Sequence, residues 1–214
     1  MSLGLFRWYS PNSTFRRATI PRLQVHFPNT SPQVWQSIRT CQSQLAPSRP
    51  RHSASVNLML RYGEWCCAVY QTVQKQGMSQ DEAGALVEAI MTDAYRPVPA
   101  AMFKLSRLRS AKQETRVRWL LSIITRYFFS APFRHRHLPS EDAVAFDVTR
   151  CPLADYFEDQ GVPELTTHAA CNLDYGAAIE MGVELVRTQT IAKGADYCDF
   201  RWKLPKKRAI LKKA

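Results

Sequence analysis

The spacing of apolar residues changes once along this chain, and that change limits the folds open to it. Between residues 54 and 130 apolar side chains recur at helical intervals, as in Ala83, Leu86, Val87, Ile90 and Met91, and again in Val117, Leu120, Leu121, Ile124 and Phe128. From Ala143 the period falls to two. Val144, Phe146 and Val148 then share one face, and Ala145, Asp147, Thr149 and Cys151 the other. Helices, a strand, further helices and a closing hairpin together predict an α+β fold, with a helical layer packed on an antiparallel sheet.

Punctuation residues set the expected boundaries. A first helix covers residues 55–76, and the capping box Ser79-Gln80-Asp81-Glu82 starts a second, which Pro97 and Pro99 end. A third helical pattern runs from about Ala100, with Lys104, Arg107, Arg109, Lys112, Arg116 and Arg118 as its solvated face. Pro132 and Pro139 bracket a loop in which His135 and His137 read as solvated residues rather than a metal motif. A short helix follows Pro152 and stops at Gly161. Pro163 suits the first turn of another, running through Cys171 toward Met181. Residues 184–191 and 197–202 supply the closing strands around Lys193-Gly194-Ala195-Asp196, where Gly194 can take the positive φ of a tight turn. Alternation puts Cys198, Phe200 and Trp202 on one sheet face, and Tyr197, Asp199 and Arg201 on the other.

A formal charge of +11 over 214 residues invites a nucleic-acid reading, but its distribution argues against one. Residues 1–63 hold eight arginines and no acid, and residues 203–214 hold six basic residues and no acid. Residues 64–202 are left with fifteen basic and eighteen acidic side chains. Basic ends attract polyanions without specificity, and no zinc-finger spacing or aromatic-basic RNA motif lies between them, so no specific nucleic-acid partner is expected. The six cysteines form no CxxC pair and are expected to be reduced thiols. Leu3–Phe6 is too short for a signal peptide, and the apolar run at residues 119–124 is pinned between Arg118 and Arg126, too short to span a bilayer. A cytoplasmic protein with no membrane partner is the expectation.

The expected organisation is an irregular basic arm over residues 1–53, a single α+β domain over 54–202 and a basic tail over 203–214. Prolines at 11, 21, 28, 32, 47 and 50 favour a poorly ordered extension over an organellar transit peptide, and predict that residues 1–50 are dispensable for folding.

The richest signals for function lie between residues 143 and 202. Cys151-Pro152-Leu153-Ala154-Asp155-Tyr156-Phe157 is followed by Cys171-Asn172-Leu173-Asp174, then Arg187-Thr188-x-Thr190, and finally Gly194-x-x-x-Cys198-Asp199-Phe200. In order and spacing these elements resemble the L-2-amino-thiazoline-4-carboxylic acid hydrolase family, with Gly-Ala at 194–195 where a double glycine is expected. The segment from Gly194 to Trp202 also resembles the closing hairpin of vinyl-reductase-like small-molecule domains.

The resemblance implies a hydrolase of small cyclic amidine or thiazoline carboxylates that works without a cofactor and has Cys151 and Cys171 in its site. Cys198 is divided between the site and plain core packing. Helical spacing places His168, Cys171 and Asp174 on one face, where an imidazole could take a thiol proton and a carboxylate could orient it. Arg187 would hold the substrate carboxylate by a bidentate fork; Thr188 and Thr190, on the opposite face, either bind ligand or fill the strand. Cys171 is the preferred nucleophile, with Asp174 or Asp199 handling protons, although water activated by a carboxylate fits the same residues. The alternative is a non-catalytic small-molecule or zinc-binding sensor module. The sequence leaves the oligomeric state open.

Overall fold

A computed structural model describes residues 11–205. Among the described residues, eight α-helices precede or interrupt a sheet of four strands. In chain order these are α1 (Pro11–His26), α2 (Ser31–Leu45), α3 (Ala54–Lys75), α4 (Gln80–Tyr95), α5 (Pro97–Leu105), α6 (Gln113–Ile123), β1 (Arg134–Leu138), β2 (Ala143–Arg150), α7 (Pro152–Asp159), α8 (Leu173–Met181), β3 (Glu184–Val186) and β4 (Cys198–Lys203). The sheet runs β1-β2-β4-β3 and every pairing is antiparallel. This is the α+β architecture expected from the change of period.

The central helix is α3. Ser53 caps it by accepting from Val56 N at 3.4 Å, and residues 63–70 are buried on every side. The α4 capping box forms as its sequence predicts, with the Ser79 and Glu82 side chains each bonding the other's backbone amide. Gly63 lets α7 lie close against α3, because a Cβ there would meet Leu153 at 3.3 Å and Phe157 at 3.4 Å.

The expected irregular arm is corrected by the structure. Residues 11–45 form α1 and α2, which pack against α4 and α3 and bury Phe15, Leu23, Val34 and Ile38. Trp65 of α3 stacks on both Phe15 (5.4 Å) and Trp35 (5.5 Å). Glu64, the first acid in the chain, is fully buried and is neutralised from the same region by Arg49, with Gln42 as a second donor. The prolines punctuate these helices without abolishing them: Pro32 sits in the first turn of α2, where no N–H is required, and Pro21 lies inside α1. Residues 1–10 and 206–214, including most of the basic tail, lie outside the described residues.

Two further expectations change. The third helix is broken into α5 and α6 by a 3-10 turn at Ser106–Leu108. Arg116 is responsible in part: it is buried rather than solvated, donates to Ser106 Oγ (2.9 Å) and Phe103 O (2.6 Å), and lies 3.9 Å over the Phe103 ring. The loop with His135 and His137 is the edge strand β1, whose polar residues suit a strand with one free side.

On the inner face of the sheet, Val148 faces Cys198, Phe146 faces Phe200 and Val144 faces Trp202. The Phe146 and Phe200 rings stack at 4.9 Å. On the outer face Asp147 lies directly opposite Asp199, a like-charge pair that is destabilising unless each carboxylate is compensated. Arg201 (2.8 Å) and Arg136 (3.1 Å) compensate Asp147. Backbone amides compensate Asp199, as described below.

Removal of residues 1–50 is expected to abolish the cooperative melt, because it leaves Glu64 as a buried unpaired charge and uncovers the faces of α3 and α4. The milder Ile38→Ala change should cost roughly 2–5 kcal/mol. Denaturant melts of both proteins check this; a truncated chain melting as the full chain does would contradict it.

Candidate active site

Between the helical layer and the inner sheet face lies a cavity of about 200 Å³. Most of its lining is apolar. Its polar residues gather at one place: Cys151 just after β2, Cys171 on the connection into α8, Asp174 in the first turn of α8, Arg187 just after β3, and Cys198 at the start of β4. The three cysteines of the family-like segment, distant in sequence, therefore line one site.

Arg187 organises this cluster. Its side chain is only 2% exposed; it donates to Asp174 Oδ2 at 2.8 Å and to the Cys171 carbonyl at 2.8 Å. The guanidinium also lies 5.1 Å from the centre of the Tyr175 ring and 5.0 Å from that of Phe200. Its Nε is buried with no partner among the described residues, which leaves a donor for a bound acceptor. Burial raises Asp174 to about 6, although Arg187 pulls it down.

The thiols are held protonated. Burial pushes Cys171 up to about 12, with Asp174 adding to the effect and Arg187 opposing it. Burial likewise pushes Cys151 up to about 12 and raises Cys198. Cys198 Sγ accepts from Ile191 N at 3.2 Å, so this residue both lines the cavity and fastens the connection between β3 and β4.

That connection differs from the tight hairpin expected. Only Glu184–Val186 pairs as a strand, and residues 187–197 loop outward through a 3-10 turn, Ile191–Lys193, that ends in Gly194 with φ 84°. Asp199 clamps the loop. It accepts from Thr188 N (2.9 Å), Gln189 N (2.8 Å) and Thr188 Oγ1 (2.8 Å). Burial works against ionisation of Asp199, but these bonds outweigh it and hold its carboxyl below the usual range. Thr190 is buried and closes the turn through its carbonyl, which accepts from Lys193 N and Ala195 N. Asp199, Thr188 and Thr190 lie outside the cavity lining.

His168 is also elsewhere. Residues Thr167–Cys171 form a π-turn, with Asn172 N bonding to Thr167 O, so the three-residue spacing that placed His168 above Cys171 on an α-helix does not apply. Its Nδ1 instead lies 2.9 Å from Glu88 Oε2 on α4, where Asn172 Nδ2 also donates. Its ring fills the space over Gly84, where a Cβ would meet it at 2.8 Å. Sequence reasoning missed the apolar lining, including Met59, Tyr62, Met91 and Tyr95; their helical spacing reads simply as core. Among the described residues no three His, Cys, Asp or Glu side chains are arranged to hold a metal ion, and no helix is long and apolar enough to cross a membrane.

The L-2-amino-thiazoline-4-carboxylic acid hydrolase family matches this chain over residues 59–202, more than half its length. The chain belongs to that family. The match reaches back through the helical layer to Met59, so it takes in both walls of the cavity as well as the cysteine-bearing segment. It supports a hydrolase-like function at the level of the family. No curated protein matches the chain.

Two measurements follow from these environments. Cys151 and Cys171 should resist iodoacetamide at neutral pH in the folded protein and react once it is unfolded, as peptide mass spectrometry would record; rapid labelling of either in the native state would contradict the assigned environment. Asp199→Ala should lower stability by about 1–3 kcal/mol, because two amides and a hydroxyl lose their acceptor; an unchanged melt would remove Asp199 from the role of clamp.

Proposed function

We propose that this protein hydrolyses a small cyclic amidine or thiazoline carboxylate, with Arg187, Asp174 and Cys171 as its working residues. The observation that carries the reading is a buried Arg–Asp pair beside a thiol, at the polar end of an otherwise apolar cavity. A ring bearing both a carboxylate and a basic amidine complements that pair: Arg187 accommodates the carboxylate, its unpartnered Nε included, and Asp174 faces the amidine.

Cys171 attacks the ring carbon flanked by nitrogen and sulfur. Because its thiol is pushed up to about 12, it does not wait as a thiolate; its proton passes to Asp174 as the new C–S bond forms. The C=N electrons move to the ring nitrogen and return to re-form C=N as the ring C–S bond breaks, and Asp174 gives its proton to the departing sulfur. Water then attacks the carbon held on Cys171, expels the cysteine sulfur, and restores the thiol. The net change is addition of one water, and division into two displacements lowers each barrier.

Asp174, raised to about 6, suits a group that must accept and return a proton near neutrality. It acts as a base only when ionised, so kcat/KM should rise with pH through about 6, and Asp174→Asn should remove that limb while lowering the rate by at least about a hundredfold. Cys171→Ser should nearly abolish turnover without changing the melt. Arg187→Lys keeps the charge but loses the planar fork, so it should chiefly raise KM. His168→Ala should leave turnover close to that of the unaltered protein. Steady-state assays with L-2-amino-thiazoline-4-carboxylate test all four; full activity of Cys171→Ser would transfer the attack to water. A second reading, a binding module without turnover, draws on the apolar lining. Saturable binding with no product would favour it.

A further inference from the structure

The ring of an aminothiazoline carboxylate accounts for only the polar end of the cavity. From that end the space continues along the inner sheet face past Phe200 to Trp202. On β4 alone the run from Cys198 to Trp202 is about 13 Å at a rise of roughly 3.3 Å per residue. Its volume of about 200 Å³ is many times the roughly 10–15 Å³ that a single water requires.

Among the described residues, Asp174 and Arg187 are the charged side chains that line it. The walls are Met59 of α3, Met91 of α4, Met102 of α5, Leu120 of α6 and Met181 of α8, with the Phe146–Phe200 stack as floor. Four of those wall residues are methionines, whose unbranched, polarisable side chains adapt to varied apolar shapes. At Val98 of α5, which is 40% exposed, the lining meets solvent. A site built only for a compact, doubly charged ring would leave this space unfilled, since an apolar enclosure stays dry and takes up apolar groups instead.

We infer that the physiological ligand of this site is amphipathic: a carboxylate held by Arg187, joined to an apolar chain or ring system that extends over Phe200 toward Trp202 and the methionines. The inference rests on the proposed role of Arg187 in holding a carboxylate, but not on hydrolysis. Trp202 Nε1, buried on this lining without a partner among the described residues, offers one hydrogen bond to an acceptor carried on the extension.

The test is a chain-length series of saturated carboxylates, from butyrate through hexanoate and octanoate to decanoate, titrated calorimetrically into the full-length protein. Affinity should rise roughly fourfold for each added methylene until the cavity is filled, as burial of apolar surface requires, and Arg187→Gln should weaken every member of the series. Met102→Trp, which fills part of the extension, should weaken decanoate at least about tenfold more than butyrate. A flat series, or no binding, in a protein that turns over aminothiazoline carboxylate would overturn the amphipathic ligand and leave the hydrolase reading standing. A rising series in a protein that opens no ring would do the reverse. A rising series that Arg187→Gln leaves untouched would overturn the placement of the carboxylate.

Discussion

The ion pair between Arg187 and Asp174 is the constraint on which the site depends. One guanidinium joins the connection after β3 to the first turn of α8 and to the carbonyl of Cys171, while Phe200 and Tyr175 flank it. A buried pair of this kind adds little to stability, since desolvation of both charges consumes most of the attraction. Its value is positional. It fixes where Cys171 sits at the end of the π-turn, and among the described residues it keeps one charge of each sign in a cavity lined by no other charged side chain. On the proposed reading, a ligand carboxylate exchanges with Asp174 on Arg187, which frees Asp174 to act as the base.

Asp199 plays a complementary part on the other face of the sheet. Facing Asp147 across the ladder, it would be a liability, yet the amides of Thr188 and Gln189 neutralise it and turn the chain after Arg187 outward. A residue that the sequence suggests as a proton carrier thus sets the path of the loop that delivers Arg187 to the cavity.

How much of this could be read in the sequence depended on whether a pattern reported its own partner. Alternation in β2 and β4 defines both faces of the sheet, because a strand's two sides are set by its own residues. The cysteines, Asp174 and Arg187 were legible as a set through the family-like spacing. By contrast, α1 and α2 were hidden by their prolines, and their stabilising contacts with Glu64 and Trp65 are long-range facts that no local pattern records. His168 was misplaced because a π-turn is invisible to a count of threes. The cavity was illegible for a simpler reason: methionines and aromatics at helical spacing look identical whether they meet another side chain or a space.

The proposed exchange of partners on Arg187 can be measured directly. The carboxyl carbon of Asp174, followed by isotope-edited NMR in protein labelled at aspartate and assigned with Asp174→Asn, should titrate near 6 in the free protein. On saturation with thiazolidine-4-carboxylate, which carries the carboxylate but lacks the amidine carbon, that titration should move upward, because Asp174 loses its cation and gains a neighbouring anion. An unchanged or lowered titration in the saturated protein would show that the carboxylate binds elsewhere, and the account of this site built on Arg187 and Asp174 would fail.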